Sequence, residues 1–134
     1  MLDAPGLFVC RYAMTLDDYN AFCGSLPHSH HVVQWRGAHV WKVDTKVFAI
    51  ARFDAGEAER ITFKCSPFSY DILKEQPGLR PAPHLASRGM TWIQRISDDG
   101  MDDGGLRDYL AESHRLAAEG LTKKRRRELG LLPA

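Results

Sequence analysis

Ile61-Thr62-Phe63-Lys64-Cys65-Ser66-Pro67 alternates apolar and polar side chains and then stops on Ser-Pro. Period-two alternation marks a strand with one buried side. Ser followed by Pro marks a helix N-cap with proline at the first helical position. The chain therefore passes from strand to helix within this stretch. Ile61, Phe63 and Cys65 are expected to face a core, which turns Arg60, Thr62 and Lys64 outward. The helix that follows carries Phe68, Ile72 and Leu73 on one side and stops at Gln76, which Pro77 pushes out of helical geometry.

Working back from this junction, Val47 to Phe53 and His39 to Val43 read as two more strands, separated by the turns Asp44-Thr45-Lys46 and Asp54-Ala55-Gly56-Glu57. Val32 to Trp35 is expected to precede them, after a loop at His28–His31. Before that loop, Thr15 with Asp18 forms a capping-box variant, and Leu16, Tyr19, Phe22, Cys23 and Leu26 recur at helical spacing over about 16–25. Working forward, Pro77, Gly78, Pro81 and Pro83 predict an extended loop over 77–84, and Thr91 to Ile96 a strand. Asp102 or Asp103 then caps a long helix with Leu106, Tyr109, Leu110, Leu116 and Ala117 inside and Gly120 at its end.

The order is helix, three or four strands, helix, one or two strands, helix. This predicts an α+β two-layer sandwich, an antiparallel sheet of five to six strands with helices on one face. The other face is expected to be open. Placing Trp41 and Val43 inward leaves Val40 and Lys42 outside; Phe48 and Ile50 inward leave Val47, Ala49 and Ala51 outside; Trp92 and Ile96 inward leave Ile93 and Arg95 outside. Lys42, Arg60, Lys64 and Arg95 then form a cationic group with no acidic residue within the strands.

Charge is unevenly spread. The chain has 18 basic and 17 acidic residues, and Lys123-Lys124-Arg125-Arg126-Arg127 supplies five of the basic ones. The rest is mildly acidic, which excludes a uniformly basic nucleic-acid coat and leaves a local basic surface open. Three cysteines without CxxC spacing argue against a disulfide framework and for a reducing, cytoplasmic setting. No apolar run is long enough to span a membrane. His28, His30, His31 and His39 have spacings that suit zinc or nickel, but no cysteine pair joins them, and a solvated loop is the simpler reading. His84 and Arg88 flank the proline-rich crossing, where a stiff loop presents them to an anion or to packing. No nucleophile–base pair, phosphate-cradling glycine loop or paired-carboxylate site is present, so no enzyme, cofactor or metal is expected.

Three stretches together resemble the MmcQ/YjbR family: Phe63-Lys64-Cys65-Ser66-Pro67, the run from Pro81 to Trp92, and Ser113-His114 with Leu121-Thr122-Lys123-Lys124-Arg125. The resemblance covers about residues 14–128, with 1–13 as an extension and 129–134 as a tail. It departs from the commoner pattern at Pro83, where an aromatic is usual before His84, and at Thr122, where proline is common. It implies a two-layer α/β fold related to secretion chaperones and frataxin-like domains, and a double-wing, DNA-binding role. The combined expectation is weak or non-specific DNA binding through Lys42, Arg60, Lys64, Arg95, Arg88, His84, Lys123, Lys124 and Arg125. A chaperone-like interaction module, monomeric or homodimeric, is the alternative, and a small-ligand or metal-binding domain the third reading.

Overall fold

The computed structural model describes residues 14–83, 85 and 89–132. Helix α1 (Leu16–Gly24) is followed by strands β1 (Ser29–Gln34), β2 (Ala38–Val43), β3 (Lys46–Asp54) and β4 (Glu57–Lys64). Then come helix α2 (Pro67–Leu73), strands β5 (Leu79–Pro81) and β6 (Trp92–Arg95), and helices α3 (Asp103–Ala118) and α4 (Lys123–Glu128). The six strands form one antiparallel sheet in the order β1-β2-β3-β4-β6-β5.

Local chemistry sets the element ends. The Thr15 hydroxyl accepts from Asp18 N at 3.0 Å while the Asp18 carboxylate accepts from Thr15 N, a reciprocal capping box. Ser66 caps α2 at Ser69 N, and Asp102 caps α3 at Gly105 N. Thr122 caps α4 at Arg125 N, so the basic run is a separate short helix after a break at Glu119–Leu121 and not the frayed end of α3.

The core lies between one sheet face and the helices. Two cross-sheet rows build that face: His31, Trp41, Ala49, Phe63, Ile93 and Pro81, and beside it Val33, His39, Ala51, Ile61, Arg95 and Leu79. Leu106, Leu110, Ala117 and Ala118 of α3 and Tyr19 and Cys23 of α1 pack onto them.

Four expectations need correcting. β1 begins at Ser29, so His30 and His31 belong to an edge strand and not to a loop. Leu79–Pro81 is a strand, paired along β6, inside the stretch expected to be an extended loop; proline is tolerated because it sits on an edge. In β3 a bulge opposite Trp41/Lys42 makes Phe48 the extra residue. Ala49 and Ala51 therefore join the core and Ile50 turns to the other face. In β6 the phase is opposite to expectation. Ile93 is fully buried in the core, and Arg95 faces the helices, donating from Nη2 to Asp103 Oδ1 at 2.8 Å and from Nε to Ser97 O. Trp92 instead shares the second face with its cross-strand partner Lys64. Arg95 is thus removed from the outward cations.

Candidate nucleic-acid interface

No described helix covers the second sheet face. Its central row is Val32, Val40, Ile50, Thr62, Gln94 and Arg80, joined by the ladder from β1 to β5. Val40 is fully buried and Thr62 is 5% exposed despite this. Arg80 on β5 is the cation at the end of the row, and Lys42 on β2, Arg52 on β3, and Arg60 and Lys64 on β4 flank it.

At one end the β1–β2 connection rises over this face. Trp35 and Arg36 both have positive φ, 53° and 63°, and Gly37 follows at 90°. Two successive left-handed non-glycine residues are costly. Arg52 offsets that cost by donating to Trp35 O at 2.5 Å and Arg36 O at 3.0 Å. The guanidinium therefore fastens the turn, and the turn places Arg36 beside the sheet. Arg36, Ile50, Arg52, Arg60, Thr62, Pro83 and Gln94 line an open-sided hollow of about 430 Å³.

The electrostatics of this end are unusual. Arg52 and Arg60 are direct cross-strand partners, and like charges in that position destabilise a sheet. Arg60 reaches Glu59 at 3.1 Å, but both side chains are about half exposed and the pair contributes little. Arg60 Nε is buried without a hydrogen-bond partner. Gln94 is held by Arg80, which donates to its Oε1, and itself donates to Thr62 Oγ1 at 3.2 Å. The side-chain amide is thereby fixed in orientation.

Of the cations the sequence singles out, Lys42, Arg60 and Lys64 lie on this face as expected. Lys64 is four residues from Arg60 on β4, about 13 Å away along the strand. Lys123 and Lys124 are exposed on α4. Arg125 is not free: it donates to both carboxylate oxygens of Asp44 at 2.9 and 3.2 Å and to Glu128 at 3.2 Å. His28 contacts Leu129 O and Leu131 packs on the core, so α4 is docked at the β2–β3 turn. His84 and Arg88 lie outside the described residues. Arg36, Arg52 and Arg80 join the face without having been singled out. The inserted Phe48 inverts the phase of β3, so parity alone could not reveal Arg52.

Other candidate chemistry is absorbed by structure. His31 Nε2 meets His39 Nδ1 at 3.0 Å with the rings stacked, and among the described residues no three His, Cys, Asp or Glu side chains gather for a metal ion. Asp102 caps α3, Asp103 pairs with Arg95, and Asp99 accepts from Ser97 Oγ. Burial pushes the Cys65 thiol up to about 11 and raises that of Cys23 further, so neither is a thiolate at neutral pH. Among the described residues no helix is long and apolar enough to cross a membrane.

The Arg125 hydrogen bond holds the Asp44 carboxyl below its ordinary value, with the arginine's charge adding to the effect. A depressed carboxylate pKa contributes stability that is complete above the ordinary value and is lost as pH falls through the lowered one. Docking of α4 should therefore weaken in acid. Hydrogen exchange at the Arg126 and Leu129 amides, corrected for intrinsic rate, should accelerate as pH falls through the carboxylate range. Asp44→Asn should show the faster exchange already at neutral pH; unchanged exchange in that variant would mean that Leu131 and the His28 contact hold α4 without the Asp44–Arg125 pair.

The crystal structure of the Deinococcus radiodurans protein DR2400, a DUF419 domain, is similar to this chain with a TM-score of 0.73 and 25% sequence identity. The similarity covers 89% of this chain and 90% of that one. No curated protein matches the chain. A family model described as YjbR matches residues 24–116, which takes in all six strands, α2 and most of α3. With the whole sheet and the helix that packs on it inside the match, the chain belongs to the YjbR family.

Proposed function

We propose that this protein binds DNA weakly and without sequence preference, holding the phosphate backbone on the sheet face that no described helix covers, and that it acts by binding and not by catalysis. The observation that carries the reading is the segregation of charge. Lys42, Arg52, Arg60, Lys64 and Arg80 share one face of a molecule whose net charge is only +1. Against the expectation of strands without acidic residues, β3 and β4 hold Asp54, Glu57 and Glu59; Glu59 pairs with Arg60, and Asp44 at the β2–β3 turn is occupied by Arg125. Lys123 and Lys124 are exposed on α4, which docks at the β2–β3 turn. Backbone contacts of this kind give affinity without sequence information.

Fluorescence anisotropy against duplex and single-stranded DNA at 50 and 200 mM salt tests the proposal. Four to five phosphate contacts give a log–log slope of about −4 on duplex, a loss of roughly 200-fold across that range. Replacing Lys42 and Lys64 by glutamine should weaken binding uniformly across sequences and reduce the slope by about 2. No binding, or binding indifferent to salt, rejects the reading.

A protein-interaction module is the second reading, favoured by β1. That strand has β2 as its one partner in the sheet, and Val33 and Trp35 are 53% and 54% exposed beside it. An unpaired edge is a template for strand addition. A concentration-dependent dimer in analytical ultracentrifugation, lost on Val33→Lys, would favour this reading.

A further inference from the structure

We infer that the hollow under the β1–β2 turn is a discrete site for a phosphomonoester carried on a nucleoside, either a free mononucleotide or the 5′-terminal nucleotide of a single strand. The inference stands on the hollow itself and not on backbone binding along the sheet. Beside the cations spread along the sheet, three arginines converge on one concavity of about 430 Å³.

Each wall group has a defined part. Arg60 Nε is a buried donor with no partner, and an anionic oxygen is what would satisfy it. Arg52 and Arg60 face each other across the ladder, a repulsion that a shared dianion converts into attraction. Arg52 uses one N–H of each terminal nitrogen on the turn carbonyls, leaving its other N–H groups for the ligand. Arg36 closes the third side on a turn whose strained backbone Arg52 fixes. The positive charge exceeds what Glu59 balances, which suits a monoester dianion better than a singly charged diester.

A phosphate alone would fill a minor part of the hollow, whose volume lies in the range of small-ligand pockets, about 300–1,000 Å³. The remaining wall suits a nucleoside. Ile50 and Pro83 are apolar, and Thr62 has its own hydroxyl proton to give beside the Gln94 amide. Gln94 is held by Arg80, so its second amide proton has a fixed direction. An apolar wall with a few oriented polar groups is the composition that recognises a base or sugar.

The test uses the full chain in thermal-shift and isothermal titrations with AMP, adenosine and inorganic phosphate. AMP should raise the melting temperature and bind at least about tenfold tighter than adenosine, the difference one charge-assisted contact supplies. The double variant R36Q/R60Q should abolish the AMP shift; unchanged circular dichroism would exclude misfolding as the cause. Two ten-residue oligothymidines, with 5′-phosphate or 5′-hydroxyl, then identify the source. Preference for the phosphorylated end assigns the site to strand termini, and equal affinity assigns it to the free mononucleotide. Adenosine matching AMP, an AMP shift that survives R36Q/R60Q, or no shift at all would overturn the inference. Salt-dependent duplex binding that persists in that last case leaves the backbone reading standing, so the two fail separately.

Discussion

Arg95→Ala should destabilise the fold by about 3 kcal/mol, the lower end of what removing one member of a buried ion pair costs. A loss of that size lowers the thermal midpoint by about 10 °C for a domain of this length. The Arg95 side chain is 7% exposed and that of Asp103 16%, with 2.8 Å between Nη2 and Oδ1. Removing the guanidinium leaves the Asp103 carboxylate largely desolvated and unpaired. Two things hold the loss to the lower end: Asp103 is the first residue of α3, where the helix dipole favours negative charge, and it keeps some contact with water. Arg95→Met with Asp103→Leu fills the same space without an orphaned charge and should recover most of the stability. Urea denaturation measures both variants. Neither should change affinity for DNA. If Arg95→Ala unfolds at the wild-type urea concentration but binds DNA more weakly, Arg95 faces outward and the helix-facing row is misassigned.

Arg95 also shows where reading from sequence fails. In Trp92-Ile93-Gln94-Arg95-Ile96, alternation rewards the phase that buries Trp92 and Ile96, two large apolar side chains, over the phase that buries Ile93 with a cation. The second phase wins because Asp103 compensates the charge. That partner belongs to another element, so no window of strand length contains the information. The β3 error has a different cause. Phe48 is an inserted residue, and a one-residue insertion inverts every later assignment in the strand. Ala49 and Ala51, read as a flat outer surface, lie under α3; Ile50 and Arg52, read as neither outward nor functional, line the hollow.

Features set by adjacent residues were legible. The Thr15–Asp18 box, the Ser66-Pro67 start and the Asp102 cap each depend on contacts within one turn, and each forms. The alternation of β4 is uninterrupted from Arg60 to Lys64, so the outward placement of both cations followed from parity alone. Lys42 followed similarly from Trp41 and Val43. The hollow did not, because it needs the turn at Trp35–Gly37 folded over β3 and β4. Consecutive positive φ at Trp35 and Arg36 leaves no compositional mark beyond Gly37. The docking of α4 was equally hidden, since Asp44 and Arg125 are 81 residues apart.

The bulge that misleads the sequence reading is also where the fold is most exposed to a single-atom change. Ladder pairing between β3 and β4 ends at Ala49 and Phe63. Beyond it, Lys64 N donates to Ser113 Oγ at 2.8 Å, and the same hydroxyl donates to Phe48 O at 2.7 Å. One serine of α3, fully buried, thus carries the hydrogen bonding across the irregular step and ties the helix to the sheet. Ser113→Ala leaves a buried N–H and a buried C=O without that partner, at about 1–3 kcal/mol for each group. The expected loss is about 2–4 kcal/mol by urea denaturation, far more than a Ser-to-Ala change in an exposed helix, where alanine is the better helix former. Hydrogen exchange at the Lys64 amide should accelerate more than at Phe63, whose ladder position is untouched. Because Lys64 is the cation at the end of β4, loosening this step should also blur its position on the uncovered face. A Ser113→Ala protein within about 0.5 kcal/mol of wild type, the range of neutral surface changes, would show that the two strands close the gap by themselves and that the helix does not fix the register on which the cationic face depends.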